Sequence, residues 1–443
     1  MTRNQRAVLL AVTATSFATP FMGSSVNIAL PAIQNELAID LISLGWVTTS
    51  FLLAASMFLV PFGRLADIRG RKALFVTGAA ATALASVCCA LCRSAGWLIA
   101  CRALQGTGGA MVFGTGVALL VSASPAGHRG MALGLNAAAV YLGLSSGPLI
   151  GGLLTDYFGW RSIFWVMAAL AALAAVILHL GADDAPCEAR GEAFDLAGSL
   201  LYAAALAASM VGLSAISRPG GLALALAGLA GMGLFVRRQL SSESPVLDLS
   251  LFAGNVVFAF SNLAALIHYS ATFAVSFLLS LYLQNLQGLS AREAGLVLAA
   301  QPAMMALFSP YAGRLSDRVE PRIVASVGMA VTCVGLALLL LVGSRTGLGL
   351  LAADLALLGL GFALFSSPNT FAVMASVERR DYGVASGTLG TMRLLGQTLS
   401  MAVAMLVFSP RPPFLAGMRT SFAVFALLCL GGVFASAARG KVR

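Results

Sequence analysis

The sequence predicts an all-α, polytopic membrane protein: two six-helix bundles plus an inserted two-helix hairpin, fourteen transmembrane helices in all. Three observations carry this. Of 443 residues, 59% are hydrophobic and only 10% charged, whereas an ordinary soluble domain carries about 25% charge. Apolar runs long enough to cross a bilayer recur from end to end, and helices are the form in which backbone groups find partners inside lipid. The chain also repeats itself. Pro61-Phe-Gly-Arg-Leu-Ala-Asp67 returns as Pro310-Tyr-Ala-Gly-Arg-Leu-Ser-Asp317, and Gly130, Ala132 and Gly134 return as Gly383, Ala385 and Gly387, at offsets of 250 and 253 residues.

The first apolar run, near 7–32, is too long for a cleavable signal and reads as a span. Runs near 43–65, 73–92, 96–121, 128–154 and 160–181 complete a first bundle, 1–182. Two weaker runs rich in Ala and Gly, 196–215 and 220–236, belong to neither copy and form the inserted hairpin, 195–240, with flanking loops. Runs near 254–283, 293–313, 323–342, 347–373, 382–408 and 414–436 build the second bundle, 253–437, and 438–443 is a tail. Twelve spans around a poorly defined middle is the alternative count. Trp97 and Trp160 lie at helix ends and read as interfacial anchors.

Charge sets the orientation. With the N-terminus in the cytoplasm, inside loops and tails hold 18 of the 27 Lys and Arg, outside loops hold 6, and Arg102, Arg393 and Arg419 fall within helices. This threefold bias obeys the positive-inside rule and predicts cytoplasmic termini. It also accounts for the net charge of +10 without a nucleic-acid partner.

Several classes of function are excluded. The two lysines, Lys72 and Lys441, precede Ala73 and Val442, so no Gly-Lys-Ser/Thr phosphate loop exists and no nucleotide is expected. Three histidines (His128, His179, His268) and no HExxH or nucleophile elbow argue against an enzyme, a metal site or a cofactor. Seven cysteines lie mostly in apolar segments and read as packing residues.

Four motifs remain. Gly63-Arg-Leu-Ala-Asp67-Ile-Arg69-Gly70-Arg71-Lys72 joins the second and third spans; its glycines permit a tight turn, and Asp67 can pair with nearby arginines as a latch. Arg314 and Asp317 belong to a weaker second copy. Arg102-Ala-Leu-Gln105-Gly106 puts a charge inside the fourth span, which marks function unless the side chain snorkels to the surface. Gly143, Gly147, Pro148, Gly151 and Gly152 make the fifth span both bent and closely packed. Asn27-Ile-Ala-Leu-Pro31 sits on the first span.

Together these motifs resemble the major facilitator superfamily, specifically its fourteen-helix drug:proton antiporter branch, over essentially the whole chain. The resemblance implies that Arg102 serves proton coupling, that the glycine-proline motif belongs to exporters, and that the substrate site lies between the halves near mid-membrane. The chain departs from the branch at Met22, where many members carry an aspartate five residues before the asparagine. Export of lipophilic cations is thereby weakened, and a neutral or acidic solute gains weight.

Further candidates follow from polarity inside spans. Asp354 and His268 are proton-coupling candidates beside Arg102. Asn27, Gln105, Asn136, Tyr141, Asn262, Tyr269, Gln301, Asn369 and Arg393 are candidates for the substrate cavity, although intramembrane amides also tie helices together. The expected partners are a small-molecule substrate, protons and the bilayer of a bacterial inner membrane, with the chain monomeric. Within transport the alternative is a dedicated exporter or symporter of one neutral or anionic metabolite; a transporter-like sensor or a channel is the rival of another class.

Overall fold

The computed structural model of the chain describes residues 2–124, 129–183, 193–216, 219–242, 245–246, 252, 254–316, 318–378 and 382–440. Among these residues, fourteen helices are long and apolar enough to cross a membrane, and no strand occurs. They are α1 (Arg3–Leu37), α2 (Leu41–Arg69), α3 (Arg71–Leu91), α4 (Ala95–Ala123), α5 (Arg129–Phe158), α6 (Arg161–Gly181), α7 (Leu196–Ser214) and α8 (Gly221–Leu240). Next come α9 (Val256–Leu281), whose last turn widens over Tyr282–Leu286, and α10, which runs as Ala291–Leu298 and Ala300–Ser316. The remainder are α11 (Pro321–Leu338), α12 (Leu348–Ala375), α13 (Tyr382–Phe408) and α14 (Phe414–Ala438).

Short polar residues start these helices. Thr2 and Gln5 form a capping box on α1, and Ser290 and Glu293 form another on α10. Asp40 and Ser94 accept from the first-turn N–H groups of α2 and α4. Each side chain satisfies a donor that the helix cannot.

The chain divides into two compact units, Met1–Ala207 with Ser241–Val246, and Ala208–Leu240 with Leu247–Arg443. The hairpin at 195–240 forms as α7 and α8, and the division falls within α7. One reason is local: the Tyr202 hydroxyl of α7 donates to the Ser56 carbonyl of α2 at 3.1 Å.

Inside each unit the pairing is the same. In the first, α1 packs on α5 and α6, α2 on α4, and α3 on α4 and α6. In the second, α9 packs on α13 and α14, α10 on α12, and α11 on α12 and α14. The core of the first unit is small and apolar, with Ala7, Ala11, Phe75, Ala79, Ala174 and Leu178 buried together. Leu84, Leu91, Leu173 and Leu180 stand exposed on the outside, which suits a surface bathed in acyl chains rather than water.

Two expectations need correction. Gly70, with φ of 107°, makes the turn between α2 and α3 alone; Gly63 lies inside α2, where a Cβ of its own would meet nothing, and it is Gly114 of α4 whose Cβ would stand 3.3 Å from the Gly63 backbone. Trp160 is no surface anchor. It is 2% exposed, and its indole N–H donates to Glu36 at 2.7 Å. Trp97 is exposed, as expected.

Candidate functional site

At the α2–α3 turn, Arg71 donates through Nε and Nη2 to one oxygen of Asp67, at 3.0 and 2.8 Å. The glycine between them lets α3 begin at once, so the cation sits one helical turn from the acid. Lys72 Nζ reaches the Ala182 carbonyl at 2.7 Å, and Arg3 reaches that of Leu180 at 3.0 Å. The basic loop therefore also caps the C-terminal end of α6, where cations are favoured. In the second copy Arg314 is exposed and lies over the Tyr311 ring, 6.0 Å from its centroid. Asp317 lies outside the described residues.

Arg102 does not snorkel. It is 1% exposed and is held by neutral groups: Nε donates to the Val47 carbonyl at 3.0 Å and Nη1 to Gln105 Oε1 at 2.6 Å. Nη1 also lies 3.5 Å from the Met22 sulfur. Gln105 Nε2 donates to Ser86 Oγ at 2.7 Å and faces the same sulfur at 3.0 Å. The guanidinium lies 4.6 Å from the centre of the Phe51 ring. Met22, the residue that departs from the branch, thus sits directly on the buried arginine. Ser86 and Phe51 belong to this cluster and carry no signal in the sequence, because neither is unusual on an apolar helix. Gln105 is committed to the cluster rather than open to a cavity.

The glycine-proline motif forms the α1–α5 contact. A Cβ at Gly151 would lie 2.6 Å from that of Ser25, and Cβ atoms at Gly143 and Gly147 would collide with the Phe17 carbonyl and with Ser24. Ser25 Oγ donates to the Gly147 carbonyl at 2.9 Å, next to Pro148. Gly152 is buried in the same stretch. The backbones are so close that only glycine fits, the small-residue packing of membrane helices.

In the second unit the polar residues gather differently. His268 of α9 is fully buried and neither ring nitrogen has a hydrogen-bond partner. Its ring lies 4.2 Å from Phe365 and 5.0 Å from Phe362, centre to centre. Tyr269 meets Phe362 edge-on at 5.3 Å, and the Arg393 guanidinium lies 5.8 Å from the Tyr269 ring. Arg393 donates through Nη2 to Thr370 Oγ1 at 2.7 Å, while its Nε is buried without a partner. Asp354 is half-buried; one carboxylate oxygen is buried without a partner, beside Gly335.

Arg439 overturns its sequence reading. The sequence places it in the tail, 438–443, yet its side chain is 0% exposed. It donates to Asn369 Oδ1 at 2.8 Å and to the Pro321 carbonyl at 2.7 Å. Asn369 Nδ2 in turn donates to the Ser261 carbonyl at 3.1 Å. Asn369 is therefore a tie among α9, α11, α12 and the end of α14, not an open cavity residue. Of the other candidates, Asn262 Nδ2 bonds back to Phe258 in its own helix. Asn27, Asn136 and Asn262 each keep a buried side-chain oxygen without a partner. Gln301 is 8% exposed, and Tyr141 is half-buried.

The comparisons agree with this architecture. The family model described as Major Facilitator Superfamily matches residues 12–267 and 261–440. The chain is 32% identical over 404 residues to the riboflavin transporter RibZ of Clostridioides difficile, covering 89% of this chain and 86% of that protein. It is 31% identical to the multidrug resistance protein Stp of Mycobacterium tuberculosis, covering 91% of this chain and 76% of that one. It is also 31% identical to the tetracenomycin C resistance and export protein of Streptomyces glaucescens, with the same shares covered. Among solved structures, a POT family transporter in complex with 5-aminolevulinic acid matches with a TM-score of 0.76 at 14% identity, covering 100% and 97% of the two chains. An inward-facing bacterial homologue of the human lysosomal transporter Spinster matches with a TM-score of 0.72 at 17% identity, covering 98% and 97%. At such identities the structures speak for the fold alone. Family match, relatives and fold together place this multi-pass membrane chain in the Major Facilitator Superfamily, among its transporters of the drug-efflux type.

Proposed function

We propose that this chain is a proton-coupled secondary transporter that exports small amphipathic organic compounds across a bacterial inner membrane, with both termini cytoplasmic. The observation that carries the reading is the α1–α5 contact, where glycines 143, 147 and 151 admit the α1 backbone. Such a contact keeps two long helices moving as one body, which alternating access requires. Relatives named for multidrug resistance and for tetracenomycin C export support the outward direction. The Asp67–Arg71 pair acts as the latch of one state, since it ties two helices across a single-glycine turn. Arg102, His268 and Asp354 are the groups that sense the proton, as charged or titratable side chains inside spans.

The test is proton movement in everted vesicles that carry an imposed pH gradient. An exported substrate should release protons from the lumen on addition. Accumulation of substrate with no change in the gradient would remove proton coupling from the reading.

A second reading is export of one neutral or anionic metabolite. Met22 favours it, because a sulfur rather than a carboxylate faces Arg102, and a relative named as a riboflavin transporter is similar over most of the chain. A substrate screen in an efflux-deficient host separates the two by breadth: one rescued compound or many.

A further inference from the structure

Arg393 sits near the middle of α13, eleven residues from Tyr382 and fifteen from Phe408. At 1.5 Å per residue these ends are about 17 and about 23 Å away, so the guanidinium cannot be satisfied by reaching the membrane surface. Its described contacts are one hydroxyl, Thr370, and the face of the Tyr269 ring. No carboxylate pairs with it among the described residues, and Nε is buried without a partner. Arg439 and Arg102, by contrast, have their guanidiniums bound by carbonyl and amide oxygens. The Tyr269 ring that faces Arg393 is itself backed by Phe362, edge-on at 5.3 Å, and Phe362 by the fully buried His268. A cation over an aromatic pair, with donor capacity to spare, is built to take an anion attached to a flat ring.

We propose that Arg393 and Tyr269 form a subsite for a planar aromatic anion. The guanidinium takes an acidic oxygen and the Tyr269 ring meets the flat ring system, while Phe362 and the buried His268 pack against Tyr269 and hold it in place. The rest of the chain agrees in sign. Arg102, the fully buried cation of the first unit, is likewise held by neutral partners, with no acid bonded to it among the described residues. The subsite rests on the reading that the chain transports organic solutes, and it narrows that reading to one charge class.

The full chain, purified in detergent, is tested by equilibrium dialysis with three probes of similar flat shape: anthracene-9-carboxylate, its neutral carboxamide, and ethidium. The carboxylate is expected to bind at least about tenfold more tightly than the carboxamide. Arg393→Gln should erase that preference, weakening the carboxylate about tenfold more than the carboxamide, and Tyr269→Leu should weaken both probes alike. Ethidium binding more tightly than the carboxylate, or a preference that survives Arg393→Gln, overturns the proposal. Should Arg393→Gln fail to fold, Arg393→Met serves instead. It removes the charge at similar length, and a preference that survives in that variant also overturns the proposal. Vesicles separate this inference from the one it rests on. Export of ethidium but not of the carboxylate sinks the subsite and leaves transport standing. Carboxylate bound by the purified chain yet never moved by vesicles sinks transport and leaves the subsite.

Discussion

In the first bundle, Gly108 of α4 lies so close to α3 that a Cβ would stand 2.6 Å from the Thr82 hydroxyl; in the second, a Cβ on Gly361 of α12 would stand 2.5 Å from that of Thr332. Gly106 abuts the Phe51 carbonyl and Gly359 abuts that of Gln301; Gly143 abuts Phe17 and Gly396 abuts Leu266. These shared contacts align the two copies residue by residue. In that register Arg102, Gln105, Ser86 and Met22 correspond to Leu355, Leu358, Leu336 and Ala271, and all eight are buried. In the other direction, His268, Tyr269, Phe362 and Arg393 correspond to Thr19, Pro20, Gly109 and Val140. The backbone contacts persist because any side chain there would collide with main-chain atoms, which cannot move aside. The polar clusters diverge because a buried polar group needs only local partners, and either copy can gain or lose a complete set. The buried polar clusters therefore lie where the two copies disagree.

The largest effect tests the shared skeleton. Gly106→Leu and Gly359→Leu should both abolish folded protein, read as loss of the monodisperse peak in size-exclusion chromatography. If only one is harmful, the two copies are not equivalent there. Next, Leu355→Arg places a cation where Ala271, Leu336 and Leu358 supply no acceptor. It should destabilise the chain by about 3 kcal/mol or more, measured by thermal unfolding in detergent. Arg102→Leu alone leaves Gln105 and the Val47 carbonyl without their donor, at a cost of about 3 kcal/mol. The fourfold change Met22→Ala, Ser86→Leu, Arg102→Leu and Gln105→Leu copies the second unit into the first. It should recover most of that stability while transport in vesicles stays lost; transport that survives would remove any functional role from the cluster.

A subtler change is Met22→Asp, which puts a carboxylate beside Arg102. It should alter stability by about 1 kcal/mol or less, since the ion pair must offset its own desolvation. Its readout is ethidium efflux in whole cells, expected to rise above that of the unmodified chain. The smallest effect concerns Cys92, between α3 and α4, whose carbonyl accepts from Arg161 at 2.9 Å. Burial pushes its thiol up to about 11, so it stays protonated at neutral pH and should resist maleimide. Because the raised value lies far above neutrality, labelling should increase about tenfold per pH unit between pH 7 and 9. A fast reaction at pH 7 would show that the Glu36–Trp160–Arg161 clamp over this corner is open. The matching corner of the second unit also carries a guanidinium, Arg419 Nε donating to the Val342 carbonyl at 2.9 Å, beside Tyr282 donating to the Gly343 carbonyl at 2.7 Å; no carboxylate pairs with Arg419 among the described residues, so only the first corner should loosen on Glu36→Gln.

Much of the fold was legible in the amino acids. Fourteen spans follow from apolar length, because in lipid a helix is the way for a single segment to satisfy its own backbone. Close packing of α5 follows from Gly143, Gly147 and Gly151, since three glycines one turn apart are costly in a helix unless a neighbour fills the space; that the neighbour is α1 came from the packing. Less of the site was legible. Arg439 read as tail because it follows the last apolar residue by one position, and only its fold-back onto Asn369 and Pro321 buries it. Trp160 read as an anchor because it ends a helix, yet Glu36 lies within reach of its N–H across 124 residues of chain.

Composition and periodicity thus settle what is local or averaged over many residues: that the chain spans a membrane, how many times, and that it is a duplication. Pairing between distant side chains was decided by the folded packing alone. Which guanidinium is bound by neutral oxygens, which is left short of partners, and which sulfur stands where an acid was expected all depend on contacts of a few ångströms between helices far apart in the chain. Hydrophobic length is a property of a segment, whereas the satisfaction of a buried charge belongs to a neighbourhood that exists only once the helices have packed.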